Sequence, residues 1–244
     1  MYNKSMSNSF VHLHSHTEYS MLDGAAKIED YLDKVKELDQ PAAAITDHGN
    51  LYGALEFYNS AIKKKLNPII GYEAYVINDS RFERPDRENN KRYHLTLLAE
   101  NTIGYWNLVN LASRAFTEGY YYKPRVDYEL LKEHSEGIIA LSGCLGGEIA
   151  QFLAPDGSVE EGNKEGERSY PNALEKAKFY QSIFGEENFF IELHNHGIEQ
   201  QKMILPDLLK ISEELGAPLV ATNDSHYVNK DDASAHDALL CVKL

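Results

Sequence analysis

The chain has 244 residues, enough to bury a sizeable core as one large domain. Its formal charge of −14 makes it a poor partner for long nucleic acid when acting alone, because phosphate backbones are bound by neutralising them with Lys and Arg. A nucleic-acid substrate is then admissible only at a bound cation or where another domain presents it. Two cysteines cannot build a disulfide framework, no run reaches ~18 apolar residues, and the opening MYNKSMSNSF lacks a secretory apolar core, so a cytoplasmic protein without membrane contact is expected.

In chain order, FVHLH (10–14) reads as the first strand, with His12, His14 and His16 at alternate positions and Asp23 following. A strand repeats every two residues, so three imidazoles would point one way. Imidazole is the commonest protein metal ligand, and a shared cation competes here with a bland histidine core. Further strands are expected at AAAIT (42–46), PIIGYEAYV (68–76), YHLTLLA (93–99), GIIALS (137–142), NFFIEL (188–193) and PLVAT (218–222). Helical periodicity occupies 28–38, 51–65, 103–117, 172–184 and 199–215 between them. Short apolar strands alternating with helices imply parallel strands covered by helices, and seven such units suggest a closed α/β barrel. A doubly wound open sheet is the alternative, but no G-x-G-x-x-G follows the first strand. Residues 78–92 and 154–171 are charged or Gly- and Glu-rich and are expected to be exposed loops within a single domain over 1–244. The closing ASAHDALLCVKL reads as a helix with no stop signal, as in a piece of a longer protein.

Metal-binding residue types gather at strand ends. His14 and His16 close the first strand, Asp47 and His48 the second, and Glu73 lies late in the third. Cys144 follows the fifth, His194 and His196 the sixth, and Asp224 and His226 the seventh. In α/β barrels the C-terminal strand ends form the face that carries active sites, so residues 200 positions apart would meet in one cup. His94 begins its strand, and joins them only if that strand runs differently or its boundary is misplaced. Taken singly, Asp47 and Asp224 could cap helices and Cys144 could be a small buried hydrophobe. His134 and His236 lie among solvated residues and read as surface or helix histidines.

HLHSHTEYSMLDGA, AITDHGNLYGALEFY, PIIGYEAYV, YHLTLLAEN, ALSGCLGGEI and ATNDSHYV together resemble the polymerase and histidinol phosphatase (PHP) domain of bacterial DNA polymerase III alpha subunits, across nearly the whole chain. The resemblance implies a distorted seven-stranded barrel. It also implies nine ligands for three metal ions: His14, His16, Asp23, His48, Glu73, His94, Cys144, Asp224 and His226. His14, His16 and Asp224 would serve one ion, His94 and Cys144 a second, and Asp23, His48 and His226 a third, with Glu73 bridging the first two. His12, Asp47 and His196 would orient ligands from behind. Mixed N, O and S donors suit zinc and also admit manganese or iron.

What the resemblance implies chemically is metal-assisted phosphodiester hydrolysis at a DNA 3′ end, a proofreading exonuclease within a replicative polymerase. The single-stranded end would be delivered by the remaining polymerase domains, with other replicase subunits as partners. Lys123 and Arg125 could contact phosphate, whereas Arg81, Arg84, Arg87, Lys91 and Arg92 read as a solvated loop. Two alternatives stand beside this reading. One is a non-catalytic, metal-stabilised module that supports the polymerase or docks a proofreading subunit. The other is a small-molecule phosphatase of the histidinol phosphatase type.

Overall fold

The computed structural model describes residues 10–86, 89–155 and 167–242, so most of the expected loop 154–171 lies outside the described residues. Seven strands alternate with helices in an α/β fold. The chain divides into two compact units, Met1–Tyr72 with Asp224–Leu244, and Glu73–Asn223. Among the described residues no helix is long and apolar enough to cross a membrane.

The first unit is built from α1 (Ile28–Glu37), β1 (Ala42–Ile45), α2 (Ala54–Lys64), the opening half of β2 (Asn67–Ile77) and α8 (Ala233–Val242). In α1 the apolar spacing buries Ile28, Tyr31, Leu32 and Val35 on one face, while Glu29 and Asp30 sit at its N-terminus and Lys34 and Lys36 in its last turn, complementing the helix dipole. These side chains pack with Ala43, Ile45, Phe57, Ala61 and Leu66 into one core. β1 runs parallel to β2, with Ala42 opposite Asn67 and Ile45 opposite Ile70. All four residues of β1 are buried, which explains its unbroken apolar run.

The expected first strand is not a strand. Residues 10–13 have no regular secondary structure and His14 is a bend, and in this segment Ser15 and Thr17 make isolated bridges, to Ser225 and Ala26. The segment lies between β1 and residues 224–226: the Ala44 and Thr46 amides donate to the His12 and Ser15 carbonyls, the His16 amide donates to the Ser225 carbonyl at 2.8 Å, and the Ser225 amide donates to the His14 carbonyl at 3.2 Å. It occupies a strand's place without a regular ladder.

In the second unit β2 continues from Glu73, beside β3 (Tyr93–Ala99) and parallel to β4 (Arg125–Asp127). The seventh strand is thus β4, whose charged ends hide it in the sequence. β3 is antiparallel to β5 (Ile138–Leu141), which runs parallel to β6 (Phe189–Leu193), itself parallel to β7 (Leu219–Ala221). Helices α3 (Thr102–Thr117), α4 (Tyr128–Glu133), α5 (Glu148–Leu153), α6 (Tyr170–Phe184) and α7 (Glu199–Leu215) intervene. Side-chain caps start three of them: Asn101 accepts from the Ile103 and Gly104 amides, Asp127 from Leu130, and Ser169 from Asn172. The reversed direction of β3 sets the beginning of that strand against the end of β5, and so brings His94 to Cys144.

The segment 78–92, expected to be solvated, is held inward at two points. Arg81 is buried and bonds both Asp127 carboxylate oxygens, and Asn90 is buried against Arg125.

Candidate metal centre

Six of the nine ligand candidates lie in the first unit. Where β1 ends, Asp47 turns back and accepts from the Thr17 amide at 2.6 Å, the Thr17 hydroxyl at 2.8 Å and the Ser20 hydroxyl at 2.7 Å. Burial pushes its carboxyl above the usual range in spite of these bonds. Ser20 Oγ in turn lies 3.1 Å from His16 Nδ1 and accepts from the His48 amide at 3.1 Å. With Nδ1 occupied, His16 turns Nε2 toward Asp224 Oδ1, 3.1 Å away, and His14 Nε2, also 3.1 Å away. His14 Nε2 is 3.4 Å from the same carboxylate oxygen.

Beside this group the His48 and His226 rings stack on His16 at centroid distances of 4.1 and 4.3 Å. His226 donates from Nδ1 to the Asp224 carbonyl at 2.9 Å, which fixes its tautomer and leaves Nε2 to ligate. One nitrogen each of His16, His48 and His226 falls within 4.8 Å of the other two. Asp23 Oδ2 sits 3.2 Å from His48 Nε2.

The donor set fits a cation. Asp224 Oδ1 is buried and makes no hydrogen bond, although two imidazole nitrogens stand within 3.4 Å of it. Bonds of about 2.0–2.1 Å to one tetrahedral ion put ligand atoms about 3.3–3.4 Å apart, close to the 3.1, 3.1 and 3.4 Å found here. Burial alone would raise the Asp224 carboxyl, but His14, His16 and His226 outweigh it and hold it well below the usual carboxylate range. The backbone is strained at the same places: Asp224 has φ +46° and Leu22, next to Asp23, φ +61°. Gly24 is required as well, since a Cβ there would lie 1.9 Å from the Thr17 carbonyl oxygen.

The second unit holds the other three. His94 Nδ1 is 3.2 Å from Glu73 Oε1 and 3.7 Å from Cys144 Sγ, which is 4.0 Å from the same glutamate oxygen. The turn after β5 makes this possible through Gly143, whose φ of +86° suits glycine and whose Cβ would stand 2.7 Å from the His94 carbonyl. Gly146 then donates to Cys144 Sγ at 3.3 Å and accepts from the His94 amide at 2.9 Å. The carboxylate, imidazole and thiol of this group form a mixed donor set suited to zinc, with manganese or iron admissible.

Other sequence candidates fall differently. His12 packs edge-on against Phe10 and Tyr31, its Nδ1 buried without a hydrogen bond, and among the described residues it belongs to no ligand group; burial lowers its pKa. His196 is exposed and bonds Gln201 through both its amide and Nδ1. Lys123 donates to the Tyr75 hydroxyl at 3.1 Å, and the Tyr75 ring meets His94 edge-on at 5.3 Å. Arg125 corrects the expectation of a phosphate contact. It is 1% exposed, and its guanidinium is enclosed by the Gly119, Arg81 and Glu83 carbonyls and Asn90 Oδ1, so it clamps the loop instead.

Two features were not read from the sequence. His236 is no bland helix histidine: its Nε2 donates to the Asp23 carbonyl at 2.8 Å, and its ring lies 5.7 Å from His226. Glu192 is buried in the apolar run FFIEL, and that intrusion was the available signal. Its Oε2 accepts from the Gly143 amide at 3.0 Å, and its Oε1 meets the Thr222 hydroxyl and, at 3.1 Å, His194 Nε2. Glu192, His194, Cys144 and Gln201 line a small cavity of about 20 Å³ in this unit.

The chain is similar to known proteins over nearly its whole length. The chain is 50% identical over 240 residues to the DNA polymerase III subunit alpha of Thermus aquaticus, covering 96% of this chain and 18% of that protein. It is 48% identical over 242 residues to the Deinococcus radiodurans subunit, covering 96% and 17%. The chain thus spans less than a fifth of the length of these relatives. A solved structure from Bifidobacterium adolescentis, described as a candidate metal-dependent phosphoesterase, shares the fold with a TM-score of 0.53 at 12% identity, over 95% of this chain and 96% of that one. The PHP domain model matches residues 12–196, and the chain belongs to the PHP domain family.

Proposed function

We propose that the chain is a metal-dependent phosphodiesterase that removes nucleotides from DNA 3′ ends in support of a replicative polymerase. The observation that carries this reading is the convergence of His14 and His16 on the buried, hydrogen-bond-free Asp224 oxygen at tetrahedral ligand spacing. In the first unit His14, His16 and Asp224 would hold one divalent ion and Asp23, His48 and His226 another. In the second unit Glu73, His94 and Cys144 would hold a third.

Zinc or manganese, when bound, supplies Lewis acidity toward phosphoryl oxygens and acidifies water. The chain's own residues do the rest. Asp47 and Ser20 fix the His16 ring, the Asp224 carbonyl fixes His226, and Lys123, bonded to the Tyr75 hydroxyl whose ring meets His94, would contact a phosphate. A chain at −14 repels a polyanion away from its cations, so the 3′ end would be delivered by further domains of a longer polymerase, with other replicase subunits as partners in a cytoplasmic replication complex.

The test is hydrolysis of 3′-labelled single-stranded DNA and of p-nitrophenyl phosphate by the purified chain with manganese or zinc. Release of mononucleotides from DNA, faster than cleavage of the monoester and abolished by Asp224→Asn, is the expected result. Preference for the monoester would favour a small-molecule phosphatase. No cleavage of either, with metal bound, would favour a module that binds metal for stability.

A further inference from the structure

At residues 120–123 the second unit carries three consecutive tyrosines and a lysine, and the middle of the stretch is strained. Tyr122 has φ +61°, in the left-handed region that bulky side chains avoid and that glycine or asparagine normally fills. The bonding of the Tyr121 amide to the Lys123 carbonyl at 3.0 Å makes a tight reversal with Tyr122 at its apex. Burial does not compensate the strain, because Tyr122 is 59% exposed.

The ring beneath is held by several contacts. Tyr121 donates its hydroxyl to the Pro85 carbonyl at 2.9 Å and meets the Tyr122 ring edge-on at 4.7 Å. The guanidinium groups of Arg125 and Arg84 lie over the Tyr121 ring at 5.2 and 5.7 Å. Among the described residues, the hydrogen bonds of both arginines go to backbone carbonyls and the Asn90 amide oxygen, so neither charge is offset by a bonded carboxylate. Two guanidinium groups thus lie against the half-buried Tyr121 ring, next to the exposed Tyr122, on a chain that is acidic as a whole. Lys123, next in the chain, reaches Tyr75, and the Tyr75 ring touches His94.

We propose that Tyr122 is a stacking platform for one nucleobase of a single-stranded substrate, with Lys123 contacting the adjoining phosphate on the path to the Glu73, His94 and Cys144 cluster. The proposal rests on the reading of the chain as a DNA phosphodiesterase and names how that site takes its strand. An exposed aromatic face beside cations is the chemistry that holds single strands without regard to sequence, since every base has a π-face. A duplex, whose faces are already stacked, has nothing to offer it.

Binding separates base stacking from phosphate attraction. Fluorescence anisotropy would follow a labelled oligothymidylate ended with phosphorothioate linkages, and an abasic strand of the same length, against the chain and two variants. The chain should prefer the thymidylate strand by about tenfold, the scale of one base–aromatic stack. Tyr122→Gly should remove that preference while keeping or raising the melting temperature, because glycine accepts φ +61° without strain. Tyr122→Phe should retain it. A preference undiminished in Tyr122→Gly, or no preference in the parent chain, would overturn the proposal. Because the titration scores binding whether or not the strand is cut, failure of the hydrolytic reading would appear separately, in the cleavage assay.

Discussion

His236 donates a hydrogen bond to the carbonyl of Asp23, so a residue remote from that ligand candidate in sequence helps set where it stands. Partners of this kind typically change metal affinity 10- to 100-fold when lost, and His236→Ala should weaken metal binding by about tenfold in a chelator competition. His134 is bonded to Asn107 and Arg114 instead, and His134→Ala should leave metal affinity unchanged. Equal effects of the two variants would remove His236 from the support of the site. The sequence revealed the ligand candidates because His, Asp, Glu and Cys punctuate apolar strand ends. It hid His236 because a histidine amid polar helix residues looks the same whether its ring faces water or a carbonyl. His14 and His16 meet at Asp224 as their alternation implies, whereas His12 packs against Phe10 and Tyr31.

At the scale of elements, Glu148 joins three helices. Its carboxylate is fully buried at the start of α5 and accepts from the Tyr128 hydroxyl of α4 and the Tyr180 hydroxyl of α6, each at 2.7 Å, with Lys176 Nζ of α6 at 3.0 Å. Burial first, and then the Glu148 charge, push the Tyr180 phenol well above its ordinary range, so both phenols remain donors. Glu148→Ala would strand a lysine and two hydroxyls, and should cost about 3–5 kcal/mol in urea unfolding, the scale for a buried pair losing one partner. A change below about 1 kcal/mol would show that solvent replaces the carboxylate there. Strands and helices with long apolar periods were legible, and β3 and α7 run over the residues that the sequence predicts, 93–99 and 199–215. β4, α4 and α5 were not, because three or six residues are too few to display a period, and β4 has charged residues at both ends.

For the whole molecule, ions that bind only the folded chain stabilise it by mass action, about 2.7 kcal/mol for each site at a hundredfold excess over Kd. For a chain of this size, stripping one such ion with a chelator should lower the melting temperature by about 5–10 °C, and restoring zinc or manganese should reverse the change. Acidification should act in the same direction, because imidazole and thiolate ligands must be deprotonated to bind. The most direct measurement of the central claim is elemental analysis of the chain purified without chelator. Nine donors at three to four per ion predict two to three equivalents of zinc, manganese or iron per chain. Less than one equivalent, in protein that is folded and has been offered these metals, would contradict it.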